Sequence, residues 1–190
     1  PANGAPIEVP SQDMVLGLYY MTKGKKTDAD VTVQGQGLTF YNAEEAIIAY
    51  NEGRVNLHAF VKVKIDNHRE GTQLVNKVIE TTLGRILFNQ VVPREAGYIN
   101  ELLTKKSLRD IIGYVLKETG MASTAKFLDA IKELGFKMAF SGGLSFNLGD
   151  IIVPEEKVKM IAEANEQVDE VKSNYNMGFI TNNERYNQII

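Results

Sequence analysis

Cysteine is absent from this 190-residue sequence, which removes disulfide scaffolds, thiolate zinc sites and thiol nucleophiles. Histidine is scarce, and His58 with His68 are too few for a histidine-rich metal site. No apolar run approaches the roughly 18 residues that a membrane-crossing helix needs. Neither sign of charge dominates, with 21 Lys and Arg against 24 Asp and Glu. The opening Pro1-Ala2-Asn3-Gly4-Ala5-Pro6 has no basic or apolar stretch, so it is expected to be a loop and not a signal peptide. What is present is ordinary: 44% hydrophobic and 24% charged residues, enough apolar content for a folded core and too much for a disordered chain. One large domain or two small ones, in a cytoplasmic setting and with no membrane partner, are expected.

Local patterns divide the chain. Asp13 after Ser11-Gln12 precedes Met14, Val15, Leu16 and Leu18, which predicts a helix over 12–22. Residues 23–37 have loop composition and read as the flexible stretch. A short strand at 38–41 leads to Asn42, the cap of a helix stopped by Gly53. Leu57, Ala59, Val61, Val63 and Ile65 alternate with His58, Phe60, Lys62, Lys64 and Asp66, the period of a half-buried strand. That parity places His58 on the exposed face. A partner strand is expected at 75–80 and a helical turn at 81–89, ended near Pro93.

Beyond residue 100 the period becomes helical. Ser107 is read as the cap of a helix carrying Leu108, Ile111, Ile112, Val115 and Leu116, stopped by Gly120. Ser123 or Thr124 is read as the cap of the next, which Gly142-Gly143 ends. Pro154 opens the longest, over 155–176. Its apolar stripe, Val158, Ile161, Val168, Val171 and Tyr175, is narrow enough for one partner helix to cover. Residues 155–172 hold six acidic and three basic residues, while the rest of the chain balances at 18 of each. A turn at 176–180 and a capping box, Thr181 with Glu184, start a return helix. The fold expected is α+β and predominantly helical: a small β element near 57–80, a helical body, and a projecting antiparallel helical hairpin at the C-terminus. The start in a loop and the stop six residues past the capping box suggest a piece of a longer protein.

Candidate chemistry is thin. Ser141-Gly142-Gly143-Leu144-Ser145 could cradle a phosphate, but it follows a helix where phosphate loops follow a strand, so a helix C-cap is the better reading. The pairs Asp28/Asp30 and Glu44/Glu45 sit where solvation explains them. Lys23-Gly24-Lys25-Lys26 and Lys105-Lys106 with Arg109 are small basic clusters that could meet a nucleic-acid backbone, and more often are solvated surface. No residue is singled out as catalytic or as a metal ligand.

Several blocks resemble the beta-prime chains of bacterial RNA polymerase. They are Pro1-Ala2-Asn3-Gly4, Val9-Pro10-Ser11-Gln12-Asp13, Val15-Leu16-Gly17-Leu18-Tyr19-Tyr20-Met21-Thr22, Thr81-Thr82-Leu83-Gly84-Arg85, Val153-Pro154-Glu155-Glu156-Lys157 and Glu184-Arg185-Tyr186-Asn187. The resemblance implies part of a DNA-directed RNA polymerase, a nucleotidyltransferase of DNA-templated transcription. The magnesium-binding aspartate loop and the zinc-binding segments of that family fall outside these residues, so the chain itself should hold no cofactor and be inactive alone, with Mg2+ and Zn2+ in the full-length subunit. Residues 1–150 would be the pore or funnel region, the wall of the secondary channel through which nucleoside triphosphates reach the active site. Residues 151–190 would be the rim-helix hairpin, where Gre-type factors dock. The implied docking tip is Asn174, Asn176, Met177, Gly178, Phe179 and Ile180, with Glu184, Arg185 and Asn187 for alarmone or regulator contact. Gln188 replaces a Lys usual beside Asn187. At a second alarmone site Asp129 matches, whereas Ala122 and Glu133 stand where some members carry Lys and Tyr. Implied partners are the alpha, beta, omega and sigma subunits, with DNA and RNA in the whole enzyme. The rival readings are a freestanding protein–protein interaction module using its hairpin, and a small phosphotransferase using residues 141–145.

Overall fold

In the computed structural model, which describes residues 6–26, 32–71, 73–145 and 147–190, the chain divides into two units, Pro1–Leu144 and Ser145–Ile190. The first contains α1 (Asp13–Thr22), β1 (Thr39–Phe40), α2 (Ala43–Asn51), β2 (Phe60–Glu70), β3 (Gln73–Thr82), α3 (Leu83–Asn89), α4 (Lys105–Thr119) and α5 (Met121–Gly142). The second contains α6 (Glu156–Asn176) and α7 (Asn182–Ile189). The fold is α+β and predominantly helical. Among the described residues no helix is long and apolar enough to cross a membrane.

The sheet has the order β1-β2-β3. β1 runs parallel to β2, with Thr39 opposite Lys62, and β2 pairs antiparallel with β3 from Phe60 opposite Thr82 out to Glu70 opposite Gln73. Alternation decides which face is dry: Ala59, Val61, Val63 and Ile65 are buried, while Lys62, Lys64 and Asp66 face solvent. The dry face packs with Phe40, Ala46 from α2, and Leu83 and Ile86 from α3. Each fully buried Val or Ile there contributes about 1.5–3 kcal/mol of transfer free energy.

A second core joins α1, α3, α4 and α5 through Leu18, Met21, Phe88, Leu108, Ile112, Val115, Phe127 and Ile131. α1 and α5 approach so closely that a Cβ on Gly17 would lie 1.9 Å from the Gly135 carbonyl oxygen, and one on Gly135 would lie 2.7 Å from that of Met14. Only glycine allows this contact.

Three expectations are corrected. His58 is 5% exposed, not on the solvent face. The strand has not begun there: Asn56 makes a tight turn, its side-chain oxygen accepting from the His58 amide at 2.9 Å, so strand parity does not apply. The N-cap of α4 is Thr104, with Ser107 completing a reciprocal capping box from inside the helix. Gly120, at φ 78°, both ends α4 and starts α5, so Ser123 and Thr124 lie within the first turn of α5. There the Thr124 hydroxyl donates back to the Gly120 carbonyl at 2.8 Å.

Candidate functional site

The residues singled out for docking lie in the second unit, and local backbone chemistry explains their arrangement. α6 ends in a Schellman motif: the Gly178 amide donates to the Tyr175 carbonyl at 2.9 Å and the Phe179 amide to that of Asn174 at 2.9 Å. Gly178 takes the left-handed conformation, φ 80°, that this closure requires. Thr181 then caps α7; its hydroxyl accepts from the Glu184 amide at 3.3 Å, while the Glu184 carboxylate accepts from the Thr181 amide at 2.7 Å and its hydroxyl at 2.9 Å. The donated Thr181 amide, then the hydroxyl, hold the Glu184 carboxyl below its ordinary range.

The two helices run antiparallel. The Arg185 guanidinium lies 5.1 Å from the centre of the Tyr175 ring and also donates to the Asn182 side-chain oxygen at 2.8 Å. Farther along, Gln188 and Ile189 of α7 and Val168, Val171 and Asn174 of α6 line an open hollow of about 430 Å³. At 1.5 Å per residue α6 is about 31 Å long and α7 about 12 Å, so the return helix reaches only the last turns of α6. Val158, 77% exposed, and Ile161 continue the stripe uncovered.

The tip is apolar and open. In a Schellman motif the residue after the left-handed glycine commonly packs against an apolar residue one turn back. Here that residue is Phe179, the positions behind it are Asn174 and Ser173, and its ring remains 74% exposed. Met177 is exposed beside it, with Ile180 half-buried. The structure thus gathers Asn174, Asn176, Met177, Gly178, Phe179 and Ile180 at one end of the hairpin. It does not gather the second group around a common point: Glu184 is committed to its cap, Arg185 to Tyr175 and Asn182, and Asn187 is solvent-exposed. Gln188 and Ile189, not singled out from sequence as docking residues, complete the hollow beside Asn174; an apolar Ile one turn from Arg185 was the available signal.

Elsewhere the candidates are plain. Asp129 pairs with Lys132 at 3.2 Å on an exposed turn of α5, the helix that also carries Ala122 and Glu133. Gly143 is the left-handed C-cap of α5, its amide bonded to the Phe140 carbonyl at 3.2 Å, so that backbone donor is not free for an anion. Among the described residues no three His, Asp or Glu side chains gather as candidate metal ligands.

Comparison with known proteins assigns these elements to a family. Residues 1–151 match the family described as RNA polymerase Rpb1, domain 3. Proteins named DNA-directed RNA polymerase subunit beta' are 62% identical over all 190 residues in Flavobacterium johnsoniae, and 61% identical in Bacteroides fragilis strain YCH46 and in Porphyromonas cangingivalis. This chain spans about 13% of the first two and 16% of the third. The expected resemblance holds, and both units fall within the stretch of beta' that these relatives share with this chain: it belongs to the Rpb1 domain 3 family of RNA polymerase.

Proposed function

We propose that this chain is a structural segment of the beta' subunit of a DNA-directed RNA polymerase, working in transcription as part of a nucleotidyltransferase in the cytoplasm. The observation that carries the reading is identity near 60% over all 190 residues with beta' subunits. Such a segment supplies shape and no reacting group. Its body forms part of the wall of the channel through which nucleoside triphosphates enter, beside the alpha, beta, omega and sigma subunits and the DNA and RNA of the whole enzyme. The catalytic Mg2+ and structural Zn2+ belong to other parts of that subunit.

The second unit is the docking hairpin for Gre-type factors. Phe179 and Met177 supply an apolar anchor at the tip, and the acidic excess over residues 155–172 steers a complementary partner toward it. A pull-down with a Gre-type factor tests this: the full chain binds, truncation after Asn174 abolishes binding, and Phe179→Ala weakens it by about tenfold or more. Full binding by the truncated chain overturns the docking role.

A further inference from the structure

β3 forms one edge of the sheet, because the strand order is β1-β2-β3. Alternation decides which of its backbone groups are spent. On β2 the Phe60 carbonyl accepts from the Gly37 amide at 2.8 Å and the Lys62 amide donates to the Leu38 carbonyl at 2.8 Å, so before the bulge its even-numbered residues turn toward β1 and its odd-numbered ones toward β3. The register sets Lys62 opposite Glu80 and Ile65 opposite Lys77, so the even-numbered residues of β3 turn outward. Glu80 confirms it: its carbonyl accepts from the Asn100 side chain at 2.9 Å. From there back toward the hairpin turn, Leu74, Asn76 and Val78 each hold out an amide and a carbonyl that have no partner among the described residues.

Edge strands are ordinarily guarded by charge, proline, a bulge or a covering segment. Between Gln73 and Ile79 there is no proline, and the single charge, Lys77, is paired with Glu70. The bulge in the ladder lies on β2, between Ile65 and His68, and leaves β3 regular. The side chains of the same three outward residues share the solvent face of the sheet, where Val78 is 58% and Leu74 39% exposed. Such an edge is a template for another strand.

The template is self-complementary. Two copies of β3 laid antiparallel about a two-fold axis at Asn76 bring Leu74 of one against Val78 of the other on both sides of an Asn76–Asn76 pair, and every outward amide then meets an outward carbonyl. The Leu–Val contacts cover exposed apolar surface, and Lys77 falls opposite Val75, so no like charges face each other. Neighbouring registers fail. An axis at Lys77 sets ammonium against ammonium, one at Val78 needs the Glu80 carbonyl that Asn100 already holds, and one at Val75 or Leu74 carries Val78 past the start of the facing strand at Gln73. We propose that the free edge of β3 is a strand-addition site and that its occupant is β3 of a second copy, centred on Asn76. One strand pair is a small contact, below the size of a standard interface, so the dimer is weak and depends on concentration. The strand lies in the first unit, and the inference is independent of the docking role of the hairpin.

The chain has no cysteine, so one introduced thiol reports the register. Facing residues in a hydrogen-bonded antiparallel pair stand about 5.5 Å apart at Cα, inside the span that a disulfide bridges. In the full 190-residue chain, Asn76→Cys oxidised in air with copper phenanthroline should form a disulfide dimer on a non-reducing gel. Its yield should be at least about fivefold above that of Val78→Cys, whose thiols would lie four residues out of register with each other. Adding Val78→Pro to Asn76→Cys removes an outward amide and no bond to β2, and should cut the yield by about fivefold or more while circular dichroism stays unchanged. If circular dichroism changes, the comparison of the two thiols decides alone. Sedimentation equilibrium of the parent chain should show a dimer fraction that rises with concentration. Equal disulfide yields at positions 76 and 78 mean unspecific collision and overturn the proposal. A chain that stays monomeric at every concentration, with no excess of disulfide at position 76, leaves the edge to a strand from another protein and overturns the self-pairing.

Discussion

His58 shows how far one side chain can depart from the pattern around it. Its ring lies edge-on to Tyr20 at 4.7 Å, with Nδ1 2.8 Å from the Lys23 carbonyl oxygen. That contact calls for a proton on Nδ1, which leaves Nε2 as a buried acceptor without a partner among the described residues. Desolvation is the main cause holding the group below its ordinary value of 6.5, and the carbonyl bond offsets it only in part. The unfolded chain therefore binds the proton more readily than the native one, and native stability falls as pH drops from about 6.5 toward the lower native value. Chemical denaturation between pH 7.5 and 5.5 should show that slope in the parent chain and a flatter one in His58→Gln. An equal slope in both would assign the effect elsewhere. Asn56 was the visible signal for the buried ring: a residue that bonds its own backbone two positions on delays the strand, and the alternation then counts from Ala59.

Among the elements, α1 and α5 are held closest. Gly17 and Gly135 let the two backbones touch, and each position faces a carbonyl oxygen that cannot move independently of its helix. In Gly17→Ala the added methyl would force the helices apart and loosen Leu18, Met21 and Ile131. A loss of about 1–3 kcal/mol is expected, read as a lower denaturant midpoint at unchanged slope. An unchanged midpoint would mean that α5 shifts freely. Little of this was legible beforehand, because a glycine within a helical pattern reads as a weak helix former and says nothing about the partner it approaches. The helices themselves were legible, since Leu108, Ile111, Ile112 and Val115 repeat with the helical period and are buried. Their caps were read less well. Ser107 can serve as a cap or as the reciprocal partner of one, and only the backbone geometry at Thr104 decides. Thr181 and Glu184 were unambiguous, because a carboxylate at that spacing has one obvious donor to find.

For the molecule as a whole, the contrast between the two units governs what each can do. The first has two dry cores, one under the sheet and one among α1, α3, α4 and α5. The second has no buried residue in either α6 or α7, and its inner face is lined by partly exposed Val168 and Val171. The family was legible from blocks such as the one around Pro10-Ser11-Gln12-Asp13, whereas no motif in the sequence singled out a reacting group. The proposed docking role asks a different property of this unit than of a scaffold: surface that stays uncovered until a partner arrives, at the expense of its own stability. Isolated helices of this length gain little from propensity alone, and the surface pairs Lys159–Glu163 and Asp169–Lys172 add at most about 0.5 kcal/mol each. Native-state hydrogen exchange should therefore separate the units. Amides of α4 and α5 should open only with global unfolding, while those of α6 and α7 exchange through local opening, at least about a hundredfold faster. Under the proposed docking role, addition of a Gre-type factor should slow exchange in α6 and α7 and leave α4 and α5 unchanged, whereas uniform protection across both units in the free chain would mean that the hairpin is held as rigidly as the body.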